Sequence, residues 1–380
     1  MEHRVLFTAS TASHIRHFHL PYLRDFQERG WTVHVACGGC DGAIPYADEV
    51  LSLPLEKRMS APANFRAALL LRRKIARERY DLVICHTSLA AFFTRLAVRG
   101  MRDRPAVINM VHGYLFDDET PALKRQLLLT AERLMAPCTD LVLTMNRWDD
   151  QIAHREHLGA RVAYVPGVGV DFSRLQPVPP SARKALRQTY GIPQEAFVLF
   201  YAAEFSARKS QSVLIRAMAQ LPKQVVLVLA GDGALLAQCQ ELARSCGVAD
   251  RVIFPGYQSD VGLWYGTADA AVSASRSEGL PFNIMEALYA GLPVVASAVK
   301  GHTDLIVHGE TGLLYPYGDS GAFARQVQTL LDDPALRERL GRSGAAAVRP
   351  YGLEAVLPQV VARYHALVPE DAEKETAAVR

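Results

Sequence analysis

Residues Ser275–Ser297 read SRSEGLPFNIMEALYAGLPVVAS. A turn over Gly279, Leu280, Pro281, Phe282 and Asn283 runs into helical spacing from about Phe282 to Tyr289, and Gly291 stops it. An apolar run of strand length, Ala271–Ser273, precedes the turn, and another, Pro293–Ala296, follows the helix. Strand, turn, helix and strand in this order is the repeat of a parallel sheet covered by helices.

The same alternation extends outward in both directions. Before the stretch, strand candidates are Val5–Ala9, Thr32–Ala36, Leu82–Cys85, Ala106–Val111, Leu141–Thr144 and Val162–Val165, then Val198–Ala202, Val225–Ala230 and Val252–Phe254. After it comes Gly312–Tyr315. Helices are predicted over Phe18–Glu28, Asn64–Arg79 and Asn146–His157, the last with Asn146 as N-cap. A Pro-rich joint, Leu175–Ser181, interrupts the alternation. It sets the expected organisation: an α/β chain with domains over 1–175 and 176–350, a helix over 351–368 returning toward the first domain, and a frayed tail over 369–380.

Of 380 residues 49% are apolar and 21% charged, enough for two domains with their own cores. No apolar run reaches the roughly 18 residues of a membrane span, and MEHRVLFTAS does not read as a signal peptide. The six scattered cysteines suit a reducing compartment, and Cys37-Gly-Gly-Cys40 has no second pair to complete a zinc set. Localisation is therefore expected to be cytoplasmic. Net charge is only +3, yet Glu56–Arg104 contains twelve Lys/Arg against four acids. Part of that excess lies on the helix Asn64–Arg79, whose Phe65, Leu69 and Ile75 are expected to face inward. A solvated helix face and a surface for anionic lipid are both compatible with it.

In parallel sheets ligands bind beyond the carboxyl ends of strands, so the chemistry should lie in loops that follow strands. The turn after Ala271–Ser273 presents unpaired helix N–H groups at the positive end of a helix dipole, where a phosphate is stabilised. Glu278 stands before that helix and Glu286 about one turn inside it. Carboxylates are poor phosphate ligands but good acceptors for sugar hydroxyls, so the pair suggests a polyhydroxylated ligand whose phosphate rests on the turn. Either acid alone would pass as a cap or a solvent-facing residue. Arg208 and Lys209 precede the helix Gln211–Ala219, where a cation opposes the dipole unless an anion accompanies it. A second helix N-terminus plus Lys209 would suit a diphosphate. His112 ends a strand in the first half. His14, His17 and His19 mix helical faces and lack acidic partners, so they are read as loop and helix-start residues, with His14 the one to reach a cleft. No Asp-x-Asp triplet occurs, and no metal or other cofactor is expected.

These residues resemble family 4 of the retaining glycosyltransferases, of GT-B fold: two facing Rossmann-like domains with parallel sheets and a central cleft. The resemblance runs from about Val5 to Tyr364. Its most specific element is the acid-x7-acid motif Glu278–Glu286 with the following Ala-Leu-Tyr-Ala-Gly-Leu-Pro-Val-Val-Ala-Ser. Phe18–Tyr22, His112–Phe116, Pro166–Asp171 and Gly309–Leu314 are similar to bacterial exopolysaccharide and capsule members. The resemblance implies that Glu286 holds the ribose of a nucleotide-sugar, expected to be a UDP-sugar, and that Glu278 holds the transferred sugar. Lys209 and Arg208 with the 279–283 backbone would take the diphosphate, and His112 would lie beside the reacting sugar. Gly256 and Tyr257 are read as the nucleobase vicinity, Ser13 and His14 as the acceptor side.

The implied reaction is metal-independent transfer, with retention, to a lipid-linked or oligosaccharide acceptor. An anionic membrane surface is a further expected partner through the 57–104 basic region, and nucleic acid is not. Two departures stand out. Glu204 occupies the place where many members have Arg, and Thr8–Ser13 replaces a glycine-rich loop. A sugar-nucleotide epimerase of the same fold, or a non-catalytic nucleotide-sugar-binding partner of another transferase, are the alternatives.

Overall fold

The structure, a computed structural model, describes residues 3–40 and 42–368. The tail expected over 369–380 lies outside the described residues. The chain divides into two compact units, Met1–Gly169 with Leu353–Arg380, and Val170–Gly352. The division falls at Gly169/Val170 and Gly352/Leu353, so the Pro-rich joint belongs to the second unit rather than separating the two.

The first unit is built on seven parallel strands: β1 (Arg4–Ala9), β2 (Thr32–Gly38), β3 (Glu49–Leu53), β4 (Leu82–His86), β5 (Ala106–Val111), β6 (Leu141–Thr144) and β7 (Val162–Tyr164). Their order across the sheet is β3-β2-β1-β4-β5-β6-β7. The central strands are mostly apolar and almost wholly buried because helices cover both faces, with Thr8, His86 and Asn109 as buried polar exceptions. The edge strand β3 was not among the predicted strands. Its Glu-Val-Leu-Ser-Leu sequence mixes polar and apolar residues, with only Leu53 buried. The predicted helix Phe18–Glu28 is two helices, Ala12–Phe18 and Leu20–Glu28, with buried His19 at the break. Asn146 caps the helix Arg147–Arg155, its side chain accepting from Asp149 N–H at 2.8 Å.

The helix Leu353–His365 belongs to the first unit for a packing reason. Tyr364 is fully buried among Phe7, Tyr22 and Phe26, and His365 Nε2 lies 3.1 Å from Asp25 Oδ2.

The helix Pro62–Glu78 departs from expectation. Phe65 and Leu69 are exposed, at 50% and 59%, and the buried face is Ala67, Ala68, Leu71 and Ile75 with Asn64 and Lys74. Asn64 earns its burial by bonding the backbone of Glu56 and Arg58. Lys74 is ion-paired to Glu49 and Glu78, so it leaves the exposed basic set.

The second unit has six parallel strands: β8 (Phe197–Ala202), β9 (Val225–Ala230), β10 (Val252–Ile253), β11 (Ala270–Ser273), β12 (Val294–Ser297) and β13 (Leu313–Tyr315). Their order is β10-β9-β8-β11-β12-β13. In both units the chain runs outward in one direction from the first strand, then returns to its other side. The switch points are β1/β4 and β8/β11, where crevices form beyond the strand ends.

Candidate active site

In the second unit, the loops after β8 and β11 flank the switch point and bring Arg208, Lys209 and Glu278 together. Lys209 Nζ donates to Glu278 Oε1 at 2.5 Å and Arg208 Nη1 to Glu278 Oε2 at 2.6 Å. Glu278 is buried, and burial alone would push its carboxyl up; Lys209 and Arg208 outweigh it and hold the pKa at about 2. Burial draws the Lys209 ammonium down and Glu278 opposes that. Taken by themselves, the two cations and one carboxylate carry one net positive charge.

Sequence reasoning expected Glu278 to be open to sugar hydroxyls. In the structure it is occupied by both cations. Pro281 is the N-cap residue of the helix Phe282–Tyr289. Leu280 is buried, Gly279 lies between it and Glu278, and Asn283 Nδ2 donates to Ala202 O at 3.2 Å, tying the turn to β8. Lys209 precedes Ser210, the N-cap of the helix Gln211–Met218. Glu204, at the departure from the family pattern, is exposed and adds a favourable field at Lys209.

Glu286 occupies the next turn of its helix. Tyr265 OH lies 3.1 Å from both Glu286 Oε2 and Asn283 O. Burial raises the Glu286 carboxyl to about 6, with the Tyr265 hydrogen bond opposing. Tyr265 was not found from sequence, since it ends a short helix, Val261–Tyr265, ahead of β11 rather than a loop after a strand.

A buried polar layer supports the two loops. His302 Nε2 is 3.1 Å from Ser273 Oγ, its Nδ1 is 2.8 Å from Ser297 O, and Ser297 Oγ donates to Ser275 O at 2.6 Å. Tyr201 OH lies 2.9 Å from Ser275 Oγ and 3.2 Å from Lys209 O, linking the layer to the cationic loop. Burial lowers His302 to about 4, so it is neutral at pH 7. Gly301 backs Glu278: at φ +82° a Cβ there would lie 2.8 Å from Glu278 Cβ. Across the crevice Gly231, at φ +141°, lets the loop after β9 touch Ala203 O, where a Cβ would come within 2.2 Å. Gly256 O accepts from Gly231 N–H at 2.8 Å, and Tyr257 beside it is 74% exposed.

In the first unit, His112 follows β5, but it is not alone. His14, on the helix Ala12–Phe18, His19, and His86, the last residue of β4, converge with it, offering nitrogens all within 4.8 Å of one another. His17 lies outside this group, with Nδ1 2.7 Å from Ser13 O on the exposed surface. Ser13 is exposed beside it, 3.0 Å from Thr11 Oγ1. Sequence reasoning set aside the wrong triplet because it weighed spacing along one helix. His86 ends a strand as surely as His112 precedes a loop, and the strand-end rule applied to both would have found it. Cys37 and Cys40 are free thiols, and burial pushes Cys37 up to about 12.

Residues 22–174 match the family described as Glycosyltransferase Family 4, and residues 182–347 that described as Glycosyl transferases group 1. The putative glycosyltransferase EpsD of Bacillus subtilis (strain 168) is 33% identical over 382 residues, 99% of this chain and 100% of the relative. The chain belongs to the family 4 glycosyltransferases. Among solved structures, Anabaena Alr3699/HepE in complex with UDP-glucose superposes with a TM-score of 0.75 at 22% identity, over 95% of this chain and 98% of that one. Sucrose-phosphate synthase from Thermosynechococcus elongatus gives 0.78 at 22% identity, over 96% and 99%. These two likenesses bear on the fold, the GT-B arrangement of two Rossmann-like domains.

Proposed function

We propose that this glycosyltransferase moves a sugar from a UDP-sugar to a glycan acceptor, lipid-linked, in the assembly of a cell-surface polysaccharide, with retention at the anomeric carbon. The single observation behind the donor reading is the buried Glu278 clamped by Lys209 and Arg208 at a helix N-terminus, one turn from Glu286. The relative solved with UDP-glucose supports the choice of nucleotide. On this reading the diphosphate competes with Glu278 for the two cations. The displaced carboxylate then accepts from hydroxyls of the transferred sugar, while Glu286 accepts from the ribose and His112 lies beside the reacting sugar. Gly256 and Tyr257 border the base, and Ser13 and His14 face the acceptor.

Breaking the anomeric C–O bond leaves its electron pair on the departing diphosphate. Lys209, Arg208 and the first N–H groups of the helices Gln211–Met218 and Phe282–Tyr289 stabilise that charge as it grows. The acceptor hydroxyl forms the new bond from the same face and passes its proton to the leaving phosphate. Two side-chain cations stand where an Asp-x-Asp-bound divalent ion would otherwise neutralise the diphosphate, so this half of the reaction needs no metal.

The membrane reading rests on the helix Pro62–Glu78, which exposes Phe65, Leu69 and Leu70 among Arg66, Arg73 and Arg77. Leu123 and Leu127 are also exposed on the helix Ala122–Met135 of the same unit. Apolar side chains among cations fit a surface of anionic lipid. Among the described residues no helix is long and apolar enough to cross a membrane.

Calorimetric titration with UDP and UDP-sugars tests the donor site. UDP should bind in excess EDTA with the affinity it shows in Mg²⁺, and Lys209→Ala should weaken it by at least tenfold. No UDP binding, or binding that appears only with Mg²⁺, would overturn the donor assignment. The anomeric configuration of the product, read by NMR, tests retention.

A further inference from the structure

The four histidines of the first unit are not explained by the donor reading. We propose that His14, His19, His86 and His112 bind one divalent transition-metal ion of the zinc class. His14 Nε2, both nitrogens of His19 and His86 Nε2 are buried with no hydrogen-bond partner. A buried polar atom left unpaired costs about 1–3 kcal/mol, and three converging rings that each carry one call for a missing partner, which can take one nitrogen from each. Neutral imidazole presents a lone pair, and Zn²⁺ and its neighbours in the first transition row take imidazole nitrogen readily.

The spacing suits such an ion. Tetrahedral ligands at a Zn–N distance of about 2.0–2.1 Å stand about 3.4 Å from one another. His86 Nδ1 and His112 Nε2 are already 3.2 Å apart. The four rings offer nitrogens that all lie within 4.8 Å of one another, and His14 is only partly buried. The ligands come from the segment after β1 and from the ends of β4 and β5. One ion would therefore join three chain segments around the β1/β4 switch point. A proton shared by two rings could account for the His86–His112 contact, but it leaves both nitrogens of His19 unpaired. Bound through Nε2, His112 keeps Nδ1 for the transferred sugar, so the metal site is compatible with the donor reading without depending on it.

The test uses the full chain, with any purification tag removed, stripped by chelator and dialysed into metal-free buffer. Zn²⁺, Co²⁺ and Ni²⁺ are then titrated, with elemental analysis and thermal unfolding as readouts. We expect one Zn²⁺ or Co²⁺ per chain, a Tm that rises with metal concentration, and a Co²⁺ absorption spectrum of tetrahedral nitrogen ligation. His19→Gln with His86→Gln should abolish the spectrum and weaken retention at least tenfold, whereas His17→Gln should change neither. Absence of stoichiometric metal and of a Tm rise in the wild type overturns the proposal. So does equal retention by the double variant. The wild-type stoichiometry and spectrum decide even if the double variant does not fold, and UDP titration of the same samples reports the donor site separately.

Discussion

Glu278 and Glu286 are eight residues apart, yet their surroundings drive their protons in opposite directions. Glu278, at about 2 in the fold, has a pKa below its ordinary value of 4.5. Its contribution to stability is full above that ordinary value and is lost as pH falls through the folded value. Glu278→Ala strands a buried Lys209, and breaking such a pair costs about 3–5 kcal/mol, with the half-exposed Arg208 moderating the loss. Urea unfolding at pH 7.5 should show the loss, and saturating UDP should shrink it, because the diphosphate replaces the missing negative charge. Glu286, at about 6, has the reverse sign. Its stabilising contribution is present below 4.5 and is lost as pH rises through 6. Glu286→Gln should therefore be more stable than wild type at pH 7.5, by about 1 kcal/mol after allowing for partial exposure, and the difference should vanish by pH 4.5. The same variant should bind UDP more weakly at pH 7.5 by calorimetry. A stability gain coupled to weaker binding would mark Glu286 as a group held for ligand rather than for the fold.

At the scale of elements, the helix Pro62–Glu78 separates two kinds of basic residue that look alike in sequence. Leu69→Asp with Arg73→Asp removes exposed groups and should leave the unfolding midpoint within about 0.5 kcal/mol of wild type. In co-sedimentation with anionic vesicles at low salt it should bind at least tenfold more weakly. Lys74→Gln should do the opposite, destabilising the protein by about 1–3 kcal/mol and leaving vesicle binding unchanged, because Glu49 and Glu78 lose their buried partner. Local sequence could not make this distinction. Lys74 faces inward because β3 brings Glu49 to it, and β3 was invisible to a search for apolar runs. Parallel strands such as β1, β5 and β9 were legible because burial on both faces writes itself as mostly apolar sequence, uninterrupted in β9 and broken in β5 only by Asn109. The acid pair, Lys209 and the turn lie in the loop-and-helix segments after β8 and β11, which is where a search beyond strand ends looks. Tyr265 and Gly301 do their work from outside those loops or through backbone proximity alone, which no residue type announces. The histidine cluster needed the order β1-β4-β5, which only the completed sheet supplies.

For the whole molecule, the feature with the widest reach is that the second unit is an insertion. The chain leaves the first unit at Gly169 and re-enters it at Leu353. Until the ribosome has made Tyr364, the surface of Phe7, Tyr22 and Phe26 that it covers has no lid. The second unit has no such debt, since all its strands and its polar layer lie between Val170 and Gly352. The part of the chain synthesised first should therefore be the last to be completed. A 170–352 fragment should express as a folded, cooperatively melting domain, whereas a 1–169 fragment should aggregate and be rescued by adding the 353–368 helix in trans or by a short linker. Limited proteolysis of stalled nascent chains would read the sequence of events directly, with protection of the inserted unit appearing before that of β1. A cell making this enzyme must shelter an unfinished N-terminal sheet for the time needed to add nearly two hundred residues, at about 5–20 residues per second, so its yield should depend on chaperones that bind nascent chains far more than its final stability would suggest.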